Sequence, residues 1–215
     1  MKRKLYVAAA LLVGFCAWTA AVTVLDVQPI GPNGSAVGLA TLNGWFHTLT
    51  GVHLSLYTIT DWLGLVPVAV GLMFSILGLS QWISRKQLAK VDPDLLLLGG
   101  FYLVVGGAYL LFEYLVINYR PILLSGVLEV SYPSSTTLLA LCILPTAIIQ
   151  IRRRIKRKVL RTSLALVLAA LTGFMVVGRL CSGVHWLTDI VGGILLSAAL
   201  VTAYAALCEH PKNPQ

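Results

Sequence analysis

Six apolar runs, each about the length of a membrane-spanning helix, constrain this chain more than any other feature of its sequence. A helix needs about 20 apolar residues to cross a hydrocarbon core of roughly 30 Å. Backbone groups in that core find no water to bond, so a spanning segment must be a helix or part of a closed barrel. The runs lie near residues 5–25, 61–83, 95–118, 134–151, 162–180 and 185–207. The sequence therefore predicts an all-α integral membrane protein, a bundle of six transmembrane helices.

The net charge of +8 comes mostly from three basic clusters, at residues 2–4, 85–90 and 152–161. Two predicted helices separate each cluster from the next, which places all three on one side of the membrane. Because lysine- and arginine-rich loops stay in the cytoplasm, we expect both termini to be cytoplasmic, in a bacterial plasma membrane. This reading excludes a nucleic-acid partner. The cluster at 152–161 is interpreted as a topology signal, with a site for anionic membrane lipids as the alternative.

The chain is predicted to form a single domain, residues 1–215, since no repeat or linker divides it. Its first run follows a basic start and ends in small residues, as a cleaved secretory signal does, but the apolar stretch is long enough to favour an uncleaved helix. The longest loop, residues 26–60, faces outward and mixes aromatic with polar residues in its second half, which favours an interfacial helix. His47 and His53 lie there and are interpreted as interfacial polar residues without chemistry.

Several of the other polar and charged residues are predicted to lie at helix ends on the outer side. Arg120 is expected to end the third helix and Ser134 to open the fourth. Arg179 ends the fifth, and a turn at 181–183 places His185 and Asp189 one turn apart on the sixth. Two helix N-termini and two guanidinium groups at one depth suit a tetrahedral oxyanion such as phosphate.

His185 and Asp189 would add reactivity to this anion site. A carboxylate that accepts from one ring nitrogen fixes the tautomer and leaves the other nitrogen free to attack phosphorus. The alternative is a hydrogen bond within the helix that only satisfies two polar groups. A charged residue in a membrane segment costs roughly 2.5–3.5 kcal/mol on insertion scales, so the functional interpretation is favoured.

At these residues the chain resembles the type 2 phosphatidic acid phosphatase superfamily, membrane lipid phosphatases related to vanadium haloperoxidases. The third part of that family's signature is Ser-Arg, five residues, His, three residues and Asp. Arg179, His185 and Asp189 match it at the right spacing, with Gly178 in place of the serine.

The first two parts of the signature are matched incompletely. The first is a lysine, six further residues and Arg-Pro; it keeps Arg120 and has Glu113 at the lysine position. The second is Pro-Ser-Gly-His; it keeps Ser134, continues with Ser135 and has Thr136 at the histidine position.

The resemblance implies a role for each matched residue. His185 would be the nucleophile that forms a phosphohistidine, and Asp189 would orient it. Arg120 and Arg179 would hold the phosphate, together with the serines of the second motif, Ser134 and Ser135. The resemblance implies neither a metal nor a cofactor.

Two roles of the family lack their usual residue. A threonine hydroxyl is too weak an acid near pH 7 to replace the histidine that protonates the leaving oxygen, and a carboxylate repels phosphate unless it is protonated or paired. Glu113 is expected to form a salt bridge with Arg120; the alternative is that Glu113 or Thr136 serves as a substitute acid.

The leading functional hypothesis is a phosphatase for a polyprenyl or phosphatidyl phosphate or diphosphate at the outer leaflet. The main alternative is a non-catalytic descendant that binds or carries lipid phosphates. A purely structural membrane subunit would leave Arg179, His185 and Asp189 unexplained.

Overall fold

The computed structural model describes residues 1–209, and this part of the chain contains eight α-helices and no strand beyond two isolated bridges. The helices are α1 (Lys2–Val24), α2 (Ala40–Thr50), α3 (Leu54–Leu63), α4 (Leu65–Arg85), α5 (Pro93–Tyr114), α6 (Ser135–Arg154), α7 (Lys158–Cys181) and α8 (Leu187–Cys208). With α3 and α4 counted as one continuous segment, six are long and apolar enough to cross a membrane. The predicted all-α architecture with six spans is confirmed.

The third predicted span is shorter than the sequence pattern indicates, because α5 ends at Tyr114. The prediction that Arg120 ends the third helix is therefore wrong. Arg120 lies in a loop over residues 115–134. A bridge between Tyr119 and Val130 closes this loop, and the Asn118 carbonyl accepts from the Ser131 N–H at 2.9 Å. The Asn118 side chain bonds to α8 instead of facing lipid, which explains why the apolar pattern does not continue as helix.

The segment between α1 and α4 forms two helices, α2 and α3, where one interfacial helix was expected. Gly51 separates them with a φ of +68°, a left-handed conformation that glycine adopts at little cost. The His53 N–H after this break donates to the Ser182 carbonyl at 2.9 Å. Both helices thus pack where α7 ends and α8 begins, and they cover the turn between these helices.

The bundle is centred on α6 and α8, whose residues are buried far more often than those of the other spans. Near the α7–α8 turn, aromatic rings fill the space between α1, α5 and the 115–134 loop. The Phe15 ring lies 5.7 Å from that of Phe112 and 6.4 Å from that of Tyr132. A Cβ at Gly192 would lie 2.7 Å from the Tyr132 ring, so this glycine allows the close approach.

Polar side chains close the opposite end of the bundle, where the basic clusters lie. Arg154 at the end of α6 forms ion pairs with Asp92 at 3.1 Å and Asp94 at 3.0 Å. Hydrogen bonds from Gln81, together with Arg154 and Arg85, lower the pKa of Asp92 to about 2. This end therefore stays ion-paired across the physiological pH range and is distinct from the end that holds the candidate site.

Gly183 should be essential for the fold of the α7–α8 turn. Its φ is +68°, and a Cβ there would lie 1.9 Å from the Gly51 carbonyl oxygen. We expect Gly183→Ala to lower the free energy of unfolding by at least about 1 kcal/mol and to lower the Tm in detergent. Gly173→Ala in α7 is the control, since within residues 1–209 a Cβ there would have no atom of another helix or loop within 4 Å. Equal melting temperatures for the two variants would contradict this packing.

Candidate active site

Five side chains from different segments meet at the end of the bundle opposite the basic clusters. Arg120 comes from the 115–134 loop, Thr136 from the first turn of α6, Arg179 from the last turn of α7, His185 from the following turn and Asp189 from the first turn of α8. Arg179, His185 and Asp189 are each less than 5% exposed. The convergence of helix ends expected from the sequence is therefore present in the structure.

His185 presents its two ring nitrogens to different partners. Arg120 Nη1 donates toward Nε2 at 3.3 Å, while Nδ1 lies 3.0 Å from the Ser131 hydroxyl oxygen. Burial lowers the pKa of His185 to about 4, a shift that the neighbouring Asp189 opposes and the charge of Arg120 reinforces. The imidazole is therefore neutral near pH 7 and carries a lone pair on one nitrogen.

The direct hydrogen bond expected between His185 and Asp189 is not formed. Nδ1 lies 3.8 Å from Asp189 Oδ2, beyond hydrogen-bonding range. The Ser131 hydroxyl lies between the two groups and also donates to Asp189 Oδ2. The same carboxylate accepts the Trp186 backbone N–H at 2.9 Å and the Asn118 amide at 3.3 Å.

Arg179 is a buried guanidinium with donors to spare. Its Nη2 donates to Asp61 Oδ1 at 2.6 Å and to Thr136 Oγ1 at 2.7 Å. Its Nε and Nη1 are buried and have no hydrogen-bond partner among residues 1–209. Unpaired buried donors are costly, and a charged guanidinium N–H is a strong donor to a phosphate oxygen.

Tyr57 on α3 brings the two arginines to one place. The guanidinium carbons of Arg179 and Arg120 lie 4.7 Å and 5.8 Å from the centre of its ring. Arg120 Nε also lies 3.0 Å from the Glu129 carboxylate, which is the ion pair that this arginine makes. Two positive groups within about 6 Å of one ring centre, with His185 beside Arg120, form a concentrated positive site.

The serines at the start of α6 complete the wall of this site. The Ser134 N–H donates to the Asp189 carbonyl at 3.1 Å, which fixes α6 against α8. The Ser134 hydroxyl is buried without a hydrogen-bond partner in the described part of the chain. Ser135 lines a narrow pocket together with His185 and Glu113. The first-turn N–H groups of α6 have no acceptor within the helix, as at every helix start.

The two unusual positions of the signature have different environments. Thr136 accepts from Arg179, so it orients a positive group. Glu113 is exposed in the last turn of α5. The predicted Glu113–Arg120 salt bridge is wrong, because α5 ends before Arg120, which pairs with Glu129 instead.

His47 and His53, in the segment between α1 and α4, each bond to a backbone carbonyl. His47 Nε2 lies 3.1 Å from the Gly183 carbonyl, and its ring lies 5.5 Å from the Trp186 ring. His53 Nε2 lies 2.9 Å from the Thr50 carbonyl.

Sequence reasoning missed several residues of this site. They are Tyr57, Asp61, Asn118 and Ser131. Asp61 had a usable signal, since it is an acidic residue at the predicted start of an apolar span. The other three are neutral and lie in segments where the apolar and polar pattern carries little information.

Comparisons with known proteins point to one family. The family model described as "PAP2 superfamily" matches residues 68–210. A solved structure, described as the first transmembrane PAP2 type phosphatidylglycerolphosphate phosphatase from Bacillus subtilis, has a TM-score of 0.60 and 20% sequence identity. The match covers 97% of this chain and 98% of the other, and at that identity it establishes a shared fold. No curated protein sequence gives a significant match.

Removing either arginine should weaken the binding of phosphate or vanadate. A hydrogen bond to a charged group contributes about 1.5–3 kcal/mol, so Arg120→Ala and Arg179→Ala should each raise the Kd about 10- to 100-fold. The lysine variants should recover only part of the loss, because an ammonium lacks the paired donors.

Arg153→Ala provides the control, since Arg153 is exposed at the other end of the bundle. Anion affinity would be measured by stabilisation of the purified protein against heat. Unchanged affinity in both site variants, with the fold intact, would rule out an anion site here.

Proposed function

The chain belongs to the PAP2 superfamily, and from this premise we propose that it is a membrane phosphatase that removes phosphate from lipid phosphates or diphosphates. The observation that carries the proposal is the environment of His185 Nε2. This nitrogen faces Arg120, and the imidazole is neutral and buried. Arg179 adds two unused donors to the same site. A nucleophile beside phosphate-binding groups is the arrangement that phosphoryl transfer requires.

In the proposed reaction His185 Nε2 attacks phosphorus and the bond from phosphorus to the leaving oxygen breaks. The phosphoryl group is then attached to the ring nitrogen. A water molecule attacks phosphorus in the second step, breaks the P–N bond and releases inorganic phosphate. Arg120 and Arg179 balance the negative charge on the phosphoryl oxygens in both steps, and such fixed charges need no reorganisation during the reaction.

The leaving oxygen needs a proton when it departs as an alkoxide, and the family's histidine for this role is absent. Thr136 stands there and holds Arg179. A departing phosphate is a far weaker base than an alkoxide and needs little protonation. We therefore propose that lipid diphosphates are better substrates for this chain than alkyl monophosphates, with Glu113 as the candidate acid where one is required, since it lines the same pocket as His185.

The site is proposed to face the outer leaflet. Its helix ends lie opposite the ends that carry the basic clusters, and lysine- and arginine-rich loops stay cytoplasmic. Both termini and the segment 155–157 would then be inside. A lipid substrate could keep its tail in the bilayer while its phosphate reaches His185 from the membrane surface.

Binding without turnover is the second candidate function, and a specific observation favours it. Neither Glu113 nor Thr136 has the chemistry of the residue it replaces, while the phosphate-binding arginines are retained. A protein of this kind would bind or carry lipid phosphates. Phosphate release from purified protein with a panel of lipid phosphates and diphosphates separates the two functions.

The orientation can be tested by labelling single cysteines on a background without the four natural ones. A cysteine at Val127, exposed in the 115–134 loop, should react with an impermeant reagent added outside intact cells. A cysteine at Lys156, between α6 and α7, should react only after the membrane is opened. The reverse pattern would place the site in the cytoplasm.

Restoring a histidine at position 136 should increase the rate in a substrate-dependent way. A positioned general acid contributes about 100- to 10,000-fold, so Thr136→His should raise kcat for alkyl monophosphates by a large part of that factor. Aryl phosphates and diphosphates should gain little, because their leaving groups need less protonation.

The gain should disappear when His185→Ala is added, which is the control for contaminating phosphatase. If the wild-type protein hydrolyses alkyl phosphates rapidly and Thr136→His slows it, another residue already acts as the acid that protonates the leaving oxygen. If the protein binds phosphate but releases none from any substrate, the binding function is correct.

A further inference from the structure

Ser131 occupies the position between the two residues expected to work as a pair. Its hydroxyl oxygen lies 3.0 Å from His185 Nδ1 and donates to Asp189 Oδ2, while those two atoms are 3.8 Å apart. All three residues are less than 5% exposed. We propose that Ser131 is a positioning residue that transmits the effect of Asp189 to His185, a role that rests on the phosphatase function proposed above.

The direction of the two hydrogen bonds follows from counting protons. Asp189 receives the Trp186 N–H and the Asn118 amide in addition to Ser131, so its oxygens act as acceptors. Ser131 has one hydroxyl hydrogen, and it goes to Asp189. In its other contact, with His185 Nδ1, the Ser131 oxygen must therefore accept, and His185 Nδ1–H donates.

This order fixes the tautomer of His185. With hydrogen on Nδ1, the lone pair is on Nε2, the nitrogen that faces Arg120. When Nε2 becomes phosphorylated the ring gains a positive charge, and the Nδ1–H bond to Ser131 strengthens. The buried carboxylate polarises the hydroxyl in the same direction, so the chain of three groups stabilises the phosphorylated ring through the serine.

The backbone around Ser131 leaves its side chain little freedom. The Ser131 N–H donates to the Asn118 carbonyl at 2.9 Å, which closes the loop. The next residue, Tyr132, is buried among the rings of Phe15 and Phe112 and its hydroxyl lies 2.7 Å from Thr19 Oγ1. Ser131 is therefore held by packing on both sides, as a positioning group must be.

The test compares kcat for Ser131→Ala, Ser131→Thr and the control Ser197→Ala, using a lipid diphosphate. Ser131→Ala should lower kcat about 10- to 100-fold, the loss typical of hydrogen bonds that orient a reactive imidazole, with KM nearly unchanged. Ser131→Thr retains the hydroxyl and should recover much of the rate. Ser197 is equally buried in α8 and its hydroxyl donates to the Leu138 carbonyl at 3.4 Å, away from His185 and Asp189, so Ser197→Ala should retain wild-type kcat.

A double-mutant cycle with Asp189→Asn tests whether the effect passes through the serine. If it does, Asp189→Asn should cost little further activity once Ser131 is alanine. Wild-type kcat in Ser131→Ala together with a large loss in Asp189→Asn would overturn the proposal, because Asp189 would then act on His185 without the serine.

A second readout does not depend on activity. The ¹⁵N chemical shifts of labelled His185 report which ring nitrogen carries the hydrogen. The comparison is made in Arg120→Ala, because Arg120 also donates toward Nε2 and by itself favours hydrogen on Nδ1. In that background hydrogen should stay on Nδ1, and adding Ser131→Ala should give a mixture of tautomers. Identical tautomers in both proteins would overturn the role of Ser131 whether or not the chain is a phosphatase. Absence of turnover with the expected change in tautomer would refute the phosphatase proposal alone.

Discussion

The buried carboxylate of Asp189 is the group on which the rest of the site depends. A charge in this environment is tolerated only when hydrogen bonds replace the water it has lost. Asp189 obtains them from the Trp186 backbone beside it and from two side chains of the 115–134 loop, the Asn118 amide and the Ser131 hydroxyl. The requirement to satisfy one carboxylate thus brings the 115–134 loop to the start of α8, and with that loop comes Arg120.

Arg179 imposes a second requirement of the same kind on the neighbouring helices. Its guanidinium is 1% exposed and draws Asp61 and Thr136 to one of its nitrogens. The other two nitrogens remain without a partner among residues 1–209. A buried guanidinium with unpaired N–H groups suits an anionic ligand, and in the proposed function a phosphoryl group would supply the missing acceptors.

The parts of this protein that the sequence predicted are those with a strong periodic or compositional signal. Apolar length located the six spans, and the spacing of Arg179, His185 and Asp189 located the centre of the site. The end of α5 was mispredicted because the run to Ile117 is apolar, although hydrogen bonds of Asn118 to α8 take the chain out of the helix. Ser131 could not be recognised, since its role depends on a separation of 3.8 Å between two other side chains.

Identification of the phosphorylated residue tests the central claim most directly. The purified protein would be mixed with a lipid diphosphate carrying a labelled terminal phosphate, stopped within one turnover at high pH, where phosphohistidine survives, and digested for mass spectrometry. The account predicts an acid-labile phosphate on His185 that is absent from His185→Ala. A protein that releases inorganic phosphate while His185 stays unmodified, or that still releases it after His185→Ala, would contradict the account.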